Sequence, residues 1–270
     1  MVIFFELALT FYMISMILGI VEAFSASRYT SIGMTSATVI GFVLHSTNLI
    51  DRFILSGHMP AISIHEAISL FTWSIVLIFF FIKYRYKIGL LGSFIMPWVF
   101  GFMLIASAFP REIQPLTPAL NSFWLIVHTM LAFLSYASFG LSCGIGMMFL
   151  IQYSFVKSRK LGDLFKRLPS LNILDDVNYR LIKTGFFLLT LAIISGSLWS
   201  QTAWGSYWLW QPKQVWSLIT WLIYAMIIHL RLRVGLRGRR GSILSILGYA
   251  VTLFTFFGVD ILLKGLHTFL

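Results

Sequence analysis

Residues 199–221 read WSQTAWGSYWLWQPKQVWSLITW, and this stretch holds six of the nine tryptophans in the chain. It lies between two apolar segments that are each long enough to cross a membrane. Its middle part is too polar and irregular for a position in lipid, yet too aromatic for an ordinary loop. Such a composition suits a flat, apolar, partly charged ligand held at a membrane surface.

The composition of the whole chain indicates a polytopic membrane protein. Its 270 residues are 59% hydrophobic and 11% charged, whereas a soluble domain carries about 25% charged residues. The formal charge is +11, but the basic residues lie in short loops between apolar segments. We therefore expect a lipid bilayer as the partner of these charges and no nucleic acid. The single cysteine, Cys143, excludes a dithiol oxidoreductase and a c-type cytochrome.

Apolar segments of the length that a membrane-spanning helix needs, about 20 residues, recur along the chain. We predict eight spans, at residues 2–24, 33–50, 62–82, 90–109, 121–151, 181–199, 215–234 and 242–263. The predicted fold class is an all-α polytopic membrane protein with about eight transmembrane helices and a Trp-rich loop. No repeat or low-complexity tract divides the chain, so we treat residues 1–270 as one integral membrane domain.

The distribution of basic residues predicts the orientation of the chain. Sixteen of the 20 lysines and arginines fall on one side of the predicted spans and four on the other. Cytoplasmic loops carry such an excess. The expected location is the cytoplasmic (inner) membrane, with both termini and the Trp-rich loop on the outer, periplasmic side. On the inner side, residues 157–180 combine basic residues with apolar residues at helical spacing, which predicts an interfacial amphipathic helix.

Two histidines flank the Trp-rich loop in the predicted topology. His128 lies about 10 Å along the fifth span from Asn121, and His267 follows the last span. Both are expected on the outer side, where two imidazoles could occupy the axial positions of a haem iron. The alternative is that each is an interfacial histidine with its polar tip among the lipid headgroups, since isolated histidines are more often structural.

His229 is a third candidate, about 20 Å beyond Trp216 along the seventh span. An ionisable residue within a span marks a candidate functional site. It could instead extend to the inner interface beside Arg231 and Arg233.

The remaining histidines favour a structural interpretation. His58, His65 and Glu66 resemble part of a metal site, but a structural zinc uses four ligands and this spacing is not an established pattern. His45 lies in the middle of a span, and the sequence names no partner for it.

The Trp-rich stretch also has features that would fix aromatic rings in place. Gly205 allows a tight turn, and Pro212 prevents the next helix from extending backward. Indole rings stack on extended aromatic surfaces, and Lys213 could pair with a carboxylate such as a haem propionate. An interfacial aromatic belt would explain one or two tryptophans per helix end, but not this density. The candidate ligand contacts are Trp204, Trp208, Trp210, Trp216 and Lys213.

These residues resemble the tryptophan-rich WWD signature of the CcsA/ResC family, which handles haem in System II cytochrome c biogenesis. WGSYWLWQPKQVW, residues 204–216, is similar to the family pattern WG-x-YW-x-W-D-P-K-E-T-W. Three further segments also resemble segments of the family, so the resemblance covers most of the chain. They are SGHMPAISIHEAISL, PALNSFWLIVHTMLAFLSYASF and KGLHTF. It implies His128 and His267 as axial ligands of haem b at an outer site. It also implies His229 as a ligand used by haem crossing the membrane.

Two positions depart from the family pattern, since Gln211 and Gln214 stand where the family has Asp and Glu. The resemblance implies a protein that binds and presents haem for covalent attachment to apocytochrome c. A ResB/Ccs1-type membrane partner would complete a haem-ligating synthase complex, and whether this chain is itself an enzyme stays open. One alternative is the HemX-like branch of the family, which would regulate or scaffold haem synthesis without ligation. Another is a transporter that uses the aromatic loop as a cage for a different substrate.

Overall fold

The computed structural model describes residues 2–25, 27–113, 122–159 and 162–262, the last range without the side chains of residues 260 and 261. These residues form helices and their connections, with no strand among them. The helices are α1 (Val2–Phe24), α2 (Arg28–Ser56), α3 (Ile64–Tyr86), α4 (Leu91–Ser107), α5 (Phe123–Lys157), α6 (Asp163–Arg167), α7 (Leu171–Trp204), α8 (Pro212–Arg233), α9 (Arg239–Leu253), a π-helical turn (Phe254–Gly258) and α10 (Val259–Leu262).

The helices confirm the predicted fold class. Seven helices in the described ranges, counting α9 together with the π-helical turn, are long and apolar enough to cross a membrane. The shorter α4 has 17 residues and contains Pro97. Together they account for all eight predicted spans.

The long helices alternate in direction, which gives the bundle two distinct ends. The α2–α3 and α7–α8 connections lie at one end, here called the Trp-rich end. The α3–α4 and α8–α9 connections lie at the other, here called the basic end. Contacts support this arrangement, because Arg231 near the end of α8 binds Asp175 near the start of α7.

Several helices extend beyond the predicted spans because hydropathy detects only their apolar middle. The predicted span 33–50 lies inside α2. This helix begins where the Ser27 side chain accepts a hydrogen bond from the Tyr29 N–H, and it ends where Gly57 adopts a φ of 71°. Such caps, and not the lipid boundary, decide where a helix stops.

The core is organised around α5, which packs against α3, α4, α7 and α9. Glycines on α5 allow this close approach. A Cβ atom on Gly144 would lie 2.6 Å from Ile95 Cδ1, and one on Gly146 would lie 2.7 Å from Ser245 Oγ. Helix association in membranes depends on such tight packing of small residues.

A buried ion pair joins α2 to α3 at the Trp-rich end. Arg52 Nη2 lies 2.8 Å from Glu66 Oε1, and both side chains are only 2% exposed. Arg52 Nη1 also donates to the carbonyl of Arg111 at 3.1 Å. Glu66 Oε2 accepts the N–H groups of Ile62 and Ser63. Because these partners satisfy both charges, the pair stays buried without an unpaired ion.

The amphipathic helix predicted for residues 157–180 is wrong in its extent. Among the described residues between α5 and α7, only Asp163–Arg167 form a separate short helix, because α5 continues to Lys157 and α7 already begins at Leu171. Arg167 donates to the carbonyl of Ala23 at 3.3 Å, at the end of α1. This contact, which no local sequence pattern shows, holds the segment against the bundle.

Candidate functional site

The Trp-rich stretch is a tight connection between α7 and α8. Only residues 205–211 lie outside the two helices, so the irregular segment is shorter than the sequence suggests. Gly205 and Trp210 have positive φ angles of 72° and 56° and reverse the chain. The polar composition marks the turn correctly, but Trp204 and Trp216 belong to the flanking helices.

Hydroxyl groups of α7 fix the backbone of this turn. Ser197 Oγ donates to the carbonyl of Tyr207 at 3.0 Å, and Ser200 Oγ donates to the carbonyl of Ser206 at 2.7 Å. The turn is therefore folded back over the last helical turns of α7. Rings attached to it have defined positions.

Gln211 and Gln214 close a capping box at the start of α8. Gln214 Oε1 accepts the N–H groups of Leu209 at 2.9 Å and of Gln211 at 3.3 Å. In return, the Gln211 side chain accepts the N–H of Gln214. The two amides therefore satisfy the backbone N–H groups at the start of α8 without the negative charges of the Asp and Glu in the family pattern. This role was not predicted from the sequence, although the spacing of three residues between the two glutamines is a capping signal.

His128 lies against α7 and is held in one orientation. Its Nδ1 atom is 2.7 Å from the carbonyl oxygen of Ala192, and its ring stacks on Trp199 with centroids 6.2 Å apart. A carbonyl oxygen can only accept, so in the neutral ring Nδ1 carries the proton and Nε2 keeps its lone pair for a metal. A Cβ atom on Gly196 would lie 2.6 Å from Nδ1, so this glycine permits the approach.

Trp199 connects His128 to the Trp-rich turn. The ring centroids of Trp199 and Trp204 are 4.8 Å apart. Lys213 lies in the first turn of α8, directly after the Trp-rich turn. Through Trp199, the structure brings together two residues that the sequence nominated, His128 and Trp204. It adds Trp199 and Gly196 as the residues that support the histidine.

Two aromatic side chains of the turn face outward. Trp210 is 72% exposed and Tyr207 is also largely exposed. The rings of Trp208 and Trp210 meet edge to face, with centroids 5.9 Å apart. The buried indole Nε1 of Trp208 has no hydrogen-bond partner in the part of the chain that is described. The exposed rings of Trp210 and Tyr207 can stack on a flat ligand.

Trp216 lies apart from these rings and packs on the π-helical turn. Its ring centroid is 4.4 Å from that of Phe254, and its carbonyl accepts a hydrogen bond from Thr255 Oγ1 at 3.4 Å. Trp216 therefore joins the Trp-rich end to the segment that leads towards residue 263.

His229, the candidate histidine of α8, does not join His128. His267 lies outside the described residues. His229 lies near the end of α8, towards the basic end, and its side chain is exposed. It makes no hydrogen bond with the described residues. His128 and His229 are thus two separate candidate sites.

The other histidines are engaged by protein groups. His45 Nε2 lies 2.8 Å from Ser69 Oγ, and His65 Nδ1 lies 2.8 Å from the carbonyl oxygen of Ala106. His58 Nδ1 lies 3.1 Å from the carbonyl oxygen of the next residue. Within the described ranges, no group of three or more His, Cys, Asp or Glu side chains could hold a metal ion. These contacts fit the structural interpretation.

The fold and the site together define a polytopic helical membrane protein with an aromatic surface backed by an oriented histidine. The chain belongs to the cytochrome c assembly family, because the sequence model of the "Cytochrome C assembly protein" family matches residues 37–267. This confirms the family predicted from the sequence and supports a role in cytochrome c maturation.

Individual relatives match this chain along most of its length. The chain is 34% identical to the cytochrome c biogenesis protein CcsA of Chlamydomonas reinhardtii over 82% of this chain and 64% of that protein, so it spans less than two thirds of the algal protein. It is 32% identical to CcsA of Trieres chinensis, over 89% of this chain and 86% of the relative. CcsA of Synechococcus sp. (strain CC9902) is also 32% identical, over 84% of this chain and 83% of the relative.

Proposed function

We propose that this chain binds haem at its Trp-rich end and presents it for covalent attachment to apocytochrome c. The observation that carries this proposal is the fixed imidazole of His128. Its Nδ1–H is held by the carbonyl of Ala192, and its ring stacks on Trp199. A histidine that binds a metal through one ring nitrogen usually donates such a hydrogen bond from its other ring nitrogen. The family membership supports the same direction.

His267 is proposed as the second axial ligand. It lies outside the described residues, and its support is the resemblance of KGLHTF to a family segment. The family match extends as far as residue 267. The π-helical turn that precedes it reaches the Trp-rich end through the contact of Phe254 with Trp216.

Haem b is proposed as the substrate, held between the two imidazoles and the rings of the turn. Exposed Trp210 supplies an aromatic face. Lys213 can pair with a propionate. Two nitrogen ligands would occupy both axial positions of the iron and limit access of oxygen and water, while the vinyl groups stay at the surface.

The covalent step uses the chemistry of the substrates. Each cysteine thiol of the apocytochrome adds across a haem vinyl group, with a new carbon–sulfur bond and the proton transferred to the vinyl carbon. The contribution of this chain is to orient the haem and exclude competing ligands. We propose that a ResB-type membrane protein joins it in the synthase complex.

His229 is proposed as a ligand for haem that crosses from the inner side. Its support is its exposure on α8, a helix that the bundle covers only in small part. An imidazole facing lipid is unfavourable, so a ligand or partner that covers it is expected. This role requires the Trp-rich end to face outward, in the orientation that the excess of basic residues at the opposite end supports.

The proposal is tested by the absorption spectrum of the purified protein. We expect low-spin haem with two histidine ligands. The spectrum should be lost in His128→Gly and in His267→Gly, and added imidazole should restore it in both variants. His58→Gly is the control and should retain the spectrum. A colourless protein, or spectra that do not change in the first two variants, would contradict the proposal.

The HemX-like alternative is supported by Gln211 and Gln214, which lack the charges of the Asp and Glu in the family pattern. Co-expression with a ResB-type partner and a c-type apocytochrome separates the two functions. Covalent haem on the apocytochrome supports presentation for ligation. Haem that is bound by the chain but never attached supports the HemX-like role.

A further inference from the structure

One outward face of α8 changes its chemistry along its length. Leu222 and Met226 are each 53% exposed, and His229 and Arg233 are also exposed. Their spacing of four, three and four residues places them on the same face of the helix. From the Trp-rich end to the basic end, this face presents two apolar side chains, then an imidazole, then a guanidinium.

The two arginines at the end of α8 have different surroundings. Arg231 is mostly buried and bidentate, with Nη1 and Nη2 at 2.8 and 2.7 Å from the two carboxylate oxygens of Asp175. Its guanidinium also lies 4.3 Å from the ring centroid of Tyr179. Arg233 has neither an ion pair nor a hydrogen bond with the described part of the chain. Arg231 therefore holds α8 against α7, whereas Arg233 has its guanidinium available.

The order of groups on this face matches the chemistry of a porphyrin seen edge-on. A haem has carboxylates along one edge and apolar vinyl and methyl groups along the opposite edge. With the iron at His229, one helical turn of about 6 Å leads to Arg233, and one turn in the other direction leads to Met226. Carboxylates are expensive to bury in hydrocarbon, so they should lie towards the interface at the end of the helix.

We propose that Arg233 is a positioning residue for haem at His229. Its guanidinium pairs with a haem propionate, so the porphyrin stands along α8 with its carboxylates towards the basic end. The apolar edge then lies against Leu222 and Met226. This inference rests on the proposed role of His229 as a haem ligand. A guanidinium suits this task because its planar donors match the geometry of a carboxylate.

The test compares two probes in a protein that lacks both proposed outer ligands. In a protein with both His128→Gly and His267→Gly, in lipid nanodiscs, haemin and its dimethyl ester are titrated and followed by absorbance. Arg233→Gln should weaken haemin binding on the order of tenfold and leave binding of the ester unchanged. Arg240→Gln is the matched control, because Arg240 is an exposed arginine on α9, and it should change neither affinity.

Each other outcome overturns a specific part of the inference. An equal loss for haemin and the ester, or equal effects of the two arginine substitutions, would show that Arg233 acts through lipid phosphates or general charge. If Arg233→Gln has no effect while His229→Gly removes an axial ligand from the spectrum, the positioning role alone fails. If His229→Gly also leaves the spectrum and affinity unchanged, the proposed role of His229 fails with it.

Discussion

The candidate histidines at the two ends of the bundle differ in how firmly the protein holds them. At the Trp-rich end, His128 is packed on Trp199 and anchored to the carbonyl of Ala192. Towards the basic end, His229 is exposed and makes no hydrogen bond with the described residues. A pre-oriented side chain loses little entropy on binding and favours retention of a ligand. An exposed side chain without such an anchor favours release of the bound molecule, as the proposed role of His229 in the passage of haem requires.

The largest expected effect on stability comes from breaking the buried ion pair between Arg52 and Glu66 at the Trp-rich end. Arg52→Gln should lower the free energy of unfolding by about 3–5 kcal/mol, because Glu66 would keep a buried charge without its partner. Thermal or denaturant unfolding in detergent measures the change. Arg111→Gln is the control, since Arg111 pairs with Glu6, which is 49% exposed, and should cost about 0–1 kcal/mol. Equal losses in the two variants would contradict a specifically buried pair.

The fixed position of His128 should depend on the absence of a side chain at residue 196. Gly196→Ala places a Cβ atom where only 2.6 Å separates it from Nδ1, so the ring must move. We expect haem binding at the Trp-rich end to weaken at least about tenfold, or about 1.4 kcal/mol, in an absorbance titration. Gly101→Ala on α4 is the matched control, because nothing lies within 4 Å of its added Cβ atom. Unchanged binding in Gly196→Ala would show that the ring orientation is not required.

Removal of the Gln214 amide, which caps the start of α8, should lower the free energy of unfolding by a smaller amount. Gln214→Ala removes the acceptor for the N–H groups of Leu209 and Gln211 and should cost about 1 kcal/mol in unfolding free energy. Gln214→Glu keeps the acceptor and adds a negative charge to the first turn of the helix, where it is favourable. It should therefore match or exceed the original stability. A loss in Gln214→Glu as large as in Gln214→Ala would contradict the acceptor role.

The exposed histidine towards the basic end should contribute least to stability. His229→Ala should change the free energy of unfolding by less than about 0.5 kcal/mol, as expected for an exposed side chain without partners. His65→Ala provides the contrast, because the buried His65 ring contacts Phe5 and the carbonyl of Ala106, and it should cost about 1–3 kcal/mol. Similar losses in both variants would show that His229 is held as firmly as the buried histidines.

Much of the candidate site could be predicted from sequence because its signals are local. The density of tryptophans, the turn at Gly205 and the start of α8 at Pro212 all follow from neighbouring residues. The support of His128 could not be predicted in this way. Ala192 and Gly196 are more than sixty residues away from it and are ordinary helical residues by composition.

The sequence alone determined the fold class, the number and order of the spans and the place of the aromatic surface. Hydropathy and composition act through the surrounding lipid, so they depend little on which helices become neighbours. Only the tertiary structure decided which side chains meet, such as Arg52 with Glu66, and which histidine is held and which is open. It also confined the amphipathic segment to the short α6. These outcomes depend on contacts between helices that are distant in the chain, and hydropathy does not encode them.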